Sequence, residues 1–186
     1  MLQIRHGKEN DKKGKAPLVD SWKQVKEERV KPPLGQKVWT KPPQGWTKLN
    51  VDAAYDQSSG EANIGITVRD HSGKMLLSAW KHGIRCVSVE DAEAVACLEG
   101  VQLSNEWIRK PLVIESDCNV IKSLLSDAEN RASFSNIVKE IKSVMYAIPE
   151  VKVCKIGREC NKVAHELAQL AKHVCIRWFG EINLRA

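Results

Sequence analysis

The sequence predicts an α/β fold: a mixed five-stranded sheet with helices on its faces and the element order βββαβααβα. Two observations carry this. Three successive β-forming runs between residues 47 and 80, the last two joined by a tight polar turn, read as an antiparallel meander. Two short apolar runs, 112–116 and 151–156, then each lead into a segment of helical period, the pattern of a sheet flanked by helices.

The first strand spans 47–55, and the second is the alternating run Ala62 to Arg69. Asp70-His71-Ser72-Gly73 supplies turn residues before a third strand from Lys74 to Trp80. Ser88, followed three residues later by Asp91, forms an acidic capping box that opens a helix over 89–106. Pro111 restarts the chain, and Leu112-Val113-Ile114-Glu115-Ser116 is a strand that hands over at Asp117 to a helix running through Leu125. A longer amphipathic helix covers Ser133 to Ala147 and is closed by Pro149. The last strand, Val151 to Ile156, leads through Gly157-Arg158-Glu159-Cys160 into a helix from Asn161 to His173.

The 186 residues suit one domain of roughly 130–150 residues with a tail. Residues 1–45 hold eleven Lys/Arg and five Asp/Glu while the remainder holds eighteen of each, so the formal excess of +6 belongs to the N-terminal segment. A basic segment of this kind either attracts a polyanion or serves as a soluble linker. It combines lysines with Pro32-Pro33 and Pro42-Pro43 and shows no sustained apolar period. The expected division is therefore a flexible lead-in over 1–44, a folded domain over 45–175 and a C-terminal tail over 176–186. Trp39 and Trp46 are placed to pin the end of the lead-in to the domain, and Trp22 suits a short helix.

No run of about 18 apolar residues is present, and the N-terminus lacks the apolar core of a signal peptide. The expectation is a soluble, monomeric, intracellular protein of nucleus or cytoplasm, with no membrane partner. The six cysteines, at 86, 97, 118, 154, 160 and 175, form no C-x-x-C pair and read as reduced core residues. A zinc site built from His165 and His173 fails, because eight residues of one helix separate them by about 12 Å.

The chemistry begins with KLNVDAAY, residues 48–55, where an acid lies inside a strand bound for the sheet's centre. A buried carboxylate needs a hydrogen-bonded partner, a cation or a metal. Lys48, Asn50, Asp52 and Ala54 share one face of the strand, so Asp52 interrupts no apolar stripe. Glu93 follows one turn into the first long helix among small residues that permit close packing on a sheet, whereas Glu90 and Asp91 suit the helix dipole. Asp117 stands where a strand passes to a helix, which suits either a ligand-binding residue or a helix cap.

The stretches KLNVDAAYD, DAEAVACLEGVQLS, LVIESDCNVI and RECNKVAHELAQLA, over about residues 45–173, resemble the type 1 ribonuclease H family. With the lead-in PPQGWTKLNVDAA they look most like its ribonuclease H-like, reverse-transcriptase-associated domains abundant in plants, a retrotransposon-derived group. The resemblance implies a ribonuclease H-like fold and a metal-dependent endonuclease that cuts RNA in RNA/DNA hybrids, leaving a 3′-hydroxyl and a 5′-phosphate. It puts Asp52, Glu93 and Asp117 at three of the family's four acidic, metal-binding positions, with Mg²⁺ or Mn²⁺ as cofactor. The physical reason is that crowded carboxylates need a cation and a hard divalent ion takes oxygen ligands.

The sequence also departs from that family. At the fourth position the family pattern is N-x-x-A-D, whereas here it is Asn161-Lys162-Val163-Ala164-His165. His165 thus stands with the catalytic residues as a variant that could favour Mn²⁺, hold a water or face solvent. Glu166 points about 100° away on the helix and does not substitute. The loop before the last helix has no histidine, Ala53 stands where a glycine often follows the first Asp, and no Lys/Trp-rich insertion lies between Ser126 and Ser133. Hybrid binding would rely on Asn119, Arg158, Asn161, Lys162 and the basic lead-in. These departures motivate the alternative of a domesticated, weakly active or inactive module that binds nucleic acid or a protein partner. Trp80 and Trp107 read as packing residues, and Trp178 and Phe179 as a docked tail or a partner patch.

Overall fold

The computed structural model describes residues 38–125 and 134–172. Trp22 and the lead-in before residue 38, the 126–133 connection, His173, Cys175 and the tail bearing Trp178 and Phe179 lie outside the described residues. The elements are β1 (Thr47–Asp56), β2 (Glu61–Asp70), β3 (Met75–Arg85), α1 (Val89–Trp107), β4 (Leu112–Ser116), α2 (Val120–Leu125), α3 (Ser135–Met145), β5 (Val151–Lys155) and α4 (Lys162–Leu170), with a 3₁₀ turn at Arg158–Cys160 before α4. One mixed sheet has the order β3-β2-β1-β4-β5. The meander β1-β2-β3 is antiparallel, and β4 and β5 are added parallel beside β1.

β3 runs five residues beyond its expected end at Trp80, to Arg85. Its pairing with β2 shifts between Ala62 and Ile64, and Gly83 takes a φ of 70° there. The Asn63 side-chain oxygen accepts from the Gly83 amide at 3.2 Å and meets His82 Nδ1 at 2.7 Å, which satisfies the bulge. The Lys81-His82-Gly83 stretch has no apolar alternation, so nothing local signals a strand. α4 ends three residues before its expected end at His173.

The two faces of the sheet differ in chemistry. Leu49 and Val51 face α1, which approaches so closely that a Cβ on Gly100 would lie 2.8 Å from Val51 Cγ1. Their cluster joins Val101, Ile114, Ile121 and Ile141 into one core shared by the sheet, α1, α2 and α3. Ser88 caps α1, accepting from the Asp91 amide at 3.1 Å as the capping box predicts, while Asp91 Oδ2 accepts from the amide of Val87, one residue before the cap, at 3.1 Å.

The opposite face presents Lys48, Asn50 and Asp52, and α4 lies over it. A side chain at Gly65 would collide with the Ala164 carbonyl and come within 2.6 Å of the Ala168 amide nitrogen. Trp39, from the end of the lead-in, and Trp46, at the start of the domain, both lie on this face, as their expected pinning role requires. Trp39 covers Arg69, with the guanidinium carbon 3.5 Å from its ring centroid, and Trp46 lies 4.8 Å from Lys152 Nζ.

Candidate active site

Three elements bring the acids together beside the central strand β1, just past the C-terminal end of β4. Parallel pairing of β1 with β4 runs from Thr47↔Leu112 to Asn50↔Glu115 and stops there. Continuing that register by two residues sets Asp52 beside Asp117. Asp52 pairs across β2 with Gly65, the glycine over which α4 docks, and is 6% exposed. Glu93 comes from the second turn of α1 and is 8% exposed.

α4 delivers the remaining groups. His165 Nδ1 lies 2.8 Å from Asp52 Oδ2, so the variant fourth residue engages the first acid directly. Asn161 Nδ2 donates to Val51 O at 2.8 Å and to Asp117 Oδ1 at 2.9 Å. Arg158, largely exposed, sets Nε 3.4 Å from Asp117 Oδ2. Asn161, expected among the nucleic-acid contacts, is 1% exposed, and its amide is used as a clamp between β1 and Asp117. Lys162 and Asn119 are exposed. Asn119 Oδ1 accepts from Lys155 Nζ at 2.7 Å, a cation beside the site that the sequence reading did not single out.

The acids bear on one another electrically. Burial first, then Asp52 and Asp117, push the Glu93 carboxyl up to about 9, against smaller help from the Ala53 amide and Arg158. Burial also raises Asp52, opposed by the His165 hydrogen bond and reinforced by Asp117. Glu93 Oε2 is buried without a hydrogen-bond partner, as is Asn161 Oδ1. Burial raises the neighbouring Cys97 and Cys118 thiols, which marks them as packing groups rather than nucleophiles.

Among the described residues, no three Asp, Glu, His or Cys side chains converge closely enough to enclose a metal ion as they stand. Asp52 is turned to His165, and Asp117 is held by Asn161 and Arg158. The donor set nonetheless fits a hard divalent cation: carboxylate oxygens, mutual repulsion, and one buried oxygen with nothing to bind.

Residues 50–171 match the family described as reverse transcriptase-like. RNase H1 from the halophilic archaeon Halobacterium salinarum superposes with a TM-score of 0.64 at 15% identity, over 69% of this chain and 98% of that one. LC11-RNase H1, isolated from compost and solved in complex with an RNA/DNA hybrid, gives 0.58 at 19% identity, over 67% and 95%. The foamy viral protease-reverse transcriptase in complex with RNA/DNA hybrid gives 0.56 at 14% identity, over 69% and 20%. No curated protein matches the sequence. Strand order, helix placement and the family match agree: the chain belongs to the reverse transcriptase-like family, and its domain has the ribonuclease H-like fold.

Proposed function

We propose that the protein is a metal-dependent endoribonuclease of ribonuclease H type that hydrolyses RNA phosphodiesters in RNA/DNA hybrids. The observation that carries this is Glu93, a carboxyl with an unpartnered oxygen, raised first by burial and then by the charges of Asp52 and Asp117. Such a cluster is expensive as an end in itself and suits a divalent cation. Support for the substrate comes from fold relatives solved with RNA/DNA hybrids.

Asp52, Glu93 and Asp117 would hold Mg²⁺ or Mn²⁺. Bound there, the metal would lower the pKa of an attacking water and stabilise the leaving oxygen. The chain's own residues do the rest. Glu93 keeps its proton at neutral pH until a cation displaces it. His165 fixes the rotamer of Asp52 through Nδ1, and Asn161 ties Asp117 to the Val51 carbonyl midway along β1. Arg158 and Lys155 place positive charge beside Asp117 and Asn119, where a phosphate backbone could be received. Since hybrids are read by groove shape and 2′-hydroxyl contacts, little sequence preference is expected.

A labelled hybrid incubated with Mg²⁺ or Mn²⁺ tests the reading. Wild type should cut the RNA strand and Asp52→Asn should not. Absence of wild-type cutting, or equal cutting by the variant, would sink it. One observation favours the second reading, a domesticated binding module: Asp52 and Asp117 already have internal partners in His165, Asn161 and Arg158. If Mn²⁺ leaves the melting temperature unchanged while hybrid binding persists, that second reading takes its place.

A further inference from the structure

A closed ring of hydrogen bonds lies one step below the acids, on the last paired rung of β1 and β4. Trp39 Nε1 donates to Asn50 Oδ1 at 3.0 Å, and Asn50 Nδ2 donates to Glu115 Oε2 at 3.2 Å. Glu115 Oε1 meets Lys48 Nζ at 2.7 Å, and Lys48 Nζ donates to the Thr40 carbonyl at 2.7 Å. Thr40 follows Trp39, so the ring closes through the backbone. Arg69 Nη2 adds a second donor to Asn50 Oδ1 at 2.8 Å while its guanidinium lies against the Trp39 ring.

The placement gives the ring its meaning. Lys48, Asn50 and Asp52 succeed one another on one face of β1, while Glu115 lies on β4 and Asp117 follows just past that strand's end. Beyond Asn50↔Glu115 the backbone pairing of the two strands ends. From there the spacing between Asp52 and Asp117 is governed by side chains: the ring on one side and the Asn161 clamp on the other. Asn50 is fully buried, and Lys48 and Glu115 are nearly so. An ion pair this dry keeps its geometry while water is excluded, and Trp39 is part of the cover.

We propose that Trp39 is a positioning residue for the acidic site: by closing this ring it fixes the separation of β1 and β4 where Asp52 and Asp117 emerge. The metal arm of the test rests on the function proposed above, while the backbone arm does not. Groups that hold a metal's ligands in place typically carry about 10-fold or more in metal affinity. Trp39→Ala should therefore raise the apparent Mn²⁺ dissociation constant, read from the Mn²⁺ dependence of the melting temperature, by about 10-fold. Trp39→Phe, which keeps a ring over Arg69 but loses the Nε1 donor, should fall between it and wild type. Trp46→Ala is the control, because it removes an aromatic anchor that lies on Lys152 of β5 instead.

Hydrogen exchange supplies the second arm without metal. Trp39→Ala should speed exchange of the backbone amides from Ile114 to Asp117 more than Trp46→Ala does. If wild type binds no Mn²⁺ but this selective exchange is seen, the metal reading fails and the positioning role stands. If Trp39→Ala, or Trp39→Phe should the first variant not fold, matches Trp46→Ala in exchange and in any Mn²⁺ affinity, the positioning role is overturned.

Discussion

The last paired rung of β1 and β4, Asn50/Glu115, and the acids just beyond it put buried carboxylates in opposite circumstances. Glu115 is 7% exposed and has Lys48 and the Asn50 amide on its two oxygens. One step along, Asp52 meets an imidazole and Glu93 leaves an oxygen unmatched among other acids. Burial is nearly equal in the two places. What separates a structural acid from a candidate ligand is whether the fold itself brings the cation.

The largest expected effect breaks the saturated rung. Lys48→Met strands Glu115 without its cation in a dry setting, and urea unfolding should show a loss of about 3–5 kcal/mol. The same measurement on Glu93→Gln should move the other way at neutral pH, because the native fold holds that carboxyl at about 9 against an ordinary 4.5. The protein's native state binds this proton more tightly than its unfolded state does. Its contribution is fully present below about 4.5 and is lost as pH rises toward 9. Metal-free wild type should therefore lose stability relative to Glu93→Gln from pH 5 to 8, by about 3 kcal/mol at pH 7, with the two converging near pH 5. Parallel pH profiles would mean that Glu93 is not held protonated.

A somewhat smaller effect sharpens the comparison with a cation. Mn²⁺ at about 100 times its dissociation constant should stabilise wild type by about 2.7 kcal/mol, read as a rise in melting temperature, and should not stabilise Glu93→Gln comparably. Saturating Mn²⁺ should also cancel the fall in stability with pH. The smallest effect belongs to Arg158→Ala: its exposed contact with Asp117 should change stability by less than about 0.5 kcal/mol. Its hybrid affinity, measured across salt, should nonetheless fall with a shallower salt slope.

The acids beyond the last paired rung were legible in the sequence, and the acid on it was not. Asp52 stands out because an acid in a β-forming run has no local explanation, and Ser88 with Asp91 announces the helix that carries Glu93. Glu115, by contrast, reads as one more residue of a short strand, since its partners Lys48 and Asn50 lie more than 60 residues away. Asn161 looked like a surface contact because the amide that clamps Asp117 is 44 residues distant. Trp39 reads as a pin for the end of the lead-in, but its partners, Arg69 and Asn50, are not written in that Pro- and Lys-rich composition. Composition and period report local preference; a ring closed through three segments is a property of the assembled sheet.

Gly65 fixes the depth of α4. With Ala164 O already lying over that glycine, the helix cannot approach the sheet further, and His165 on the same turn spans the remaining gap to Asp52. An aspartate at position 165, shorter than the imidazole, would leave room beside Asp52 Oδ2 for an ion without any movement of the helix. Histidine and aspartate codons differ by one base. The backbone here is thus a common scaffold for two arrangements separated by a single mutational step, one that sets an imidazole against Asp52 and one that would set a further carboxylate there.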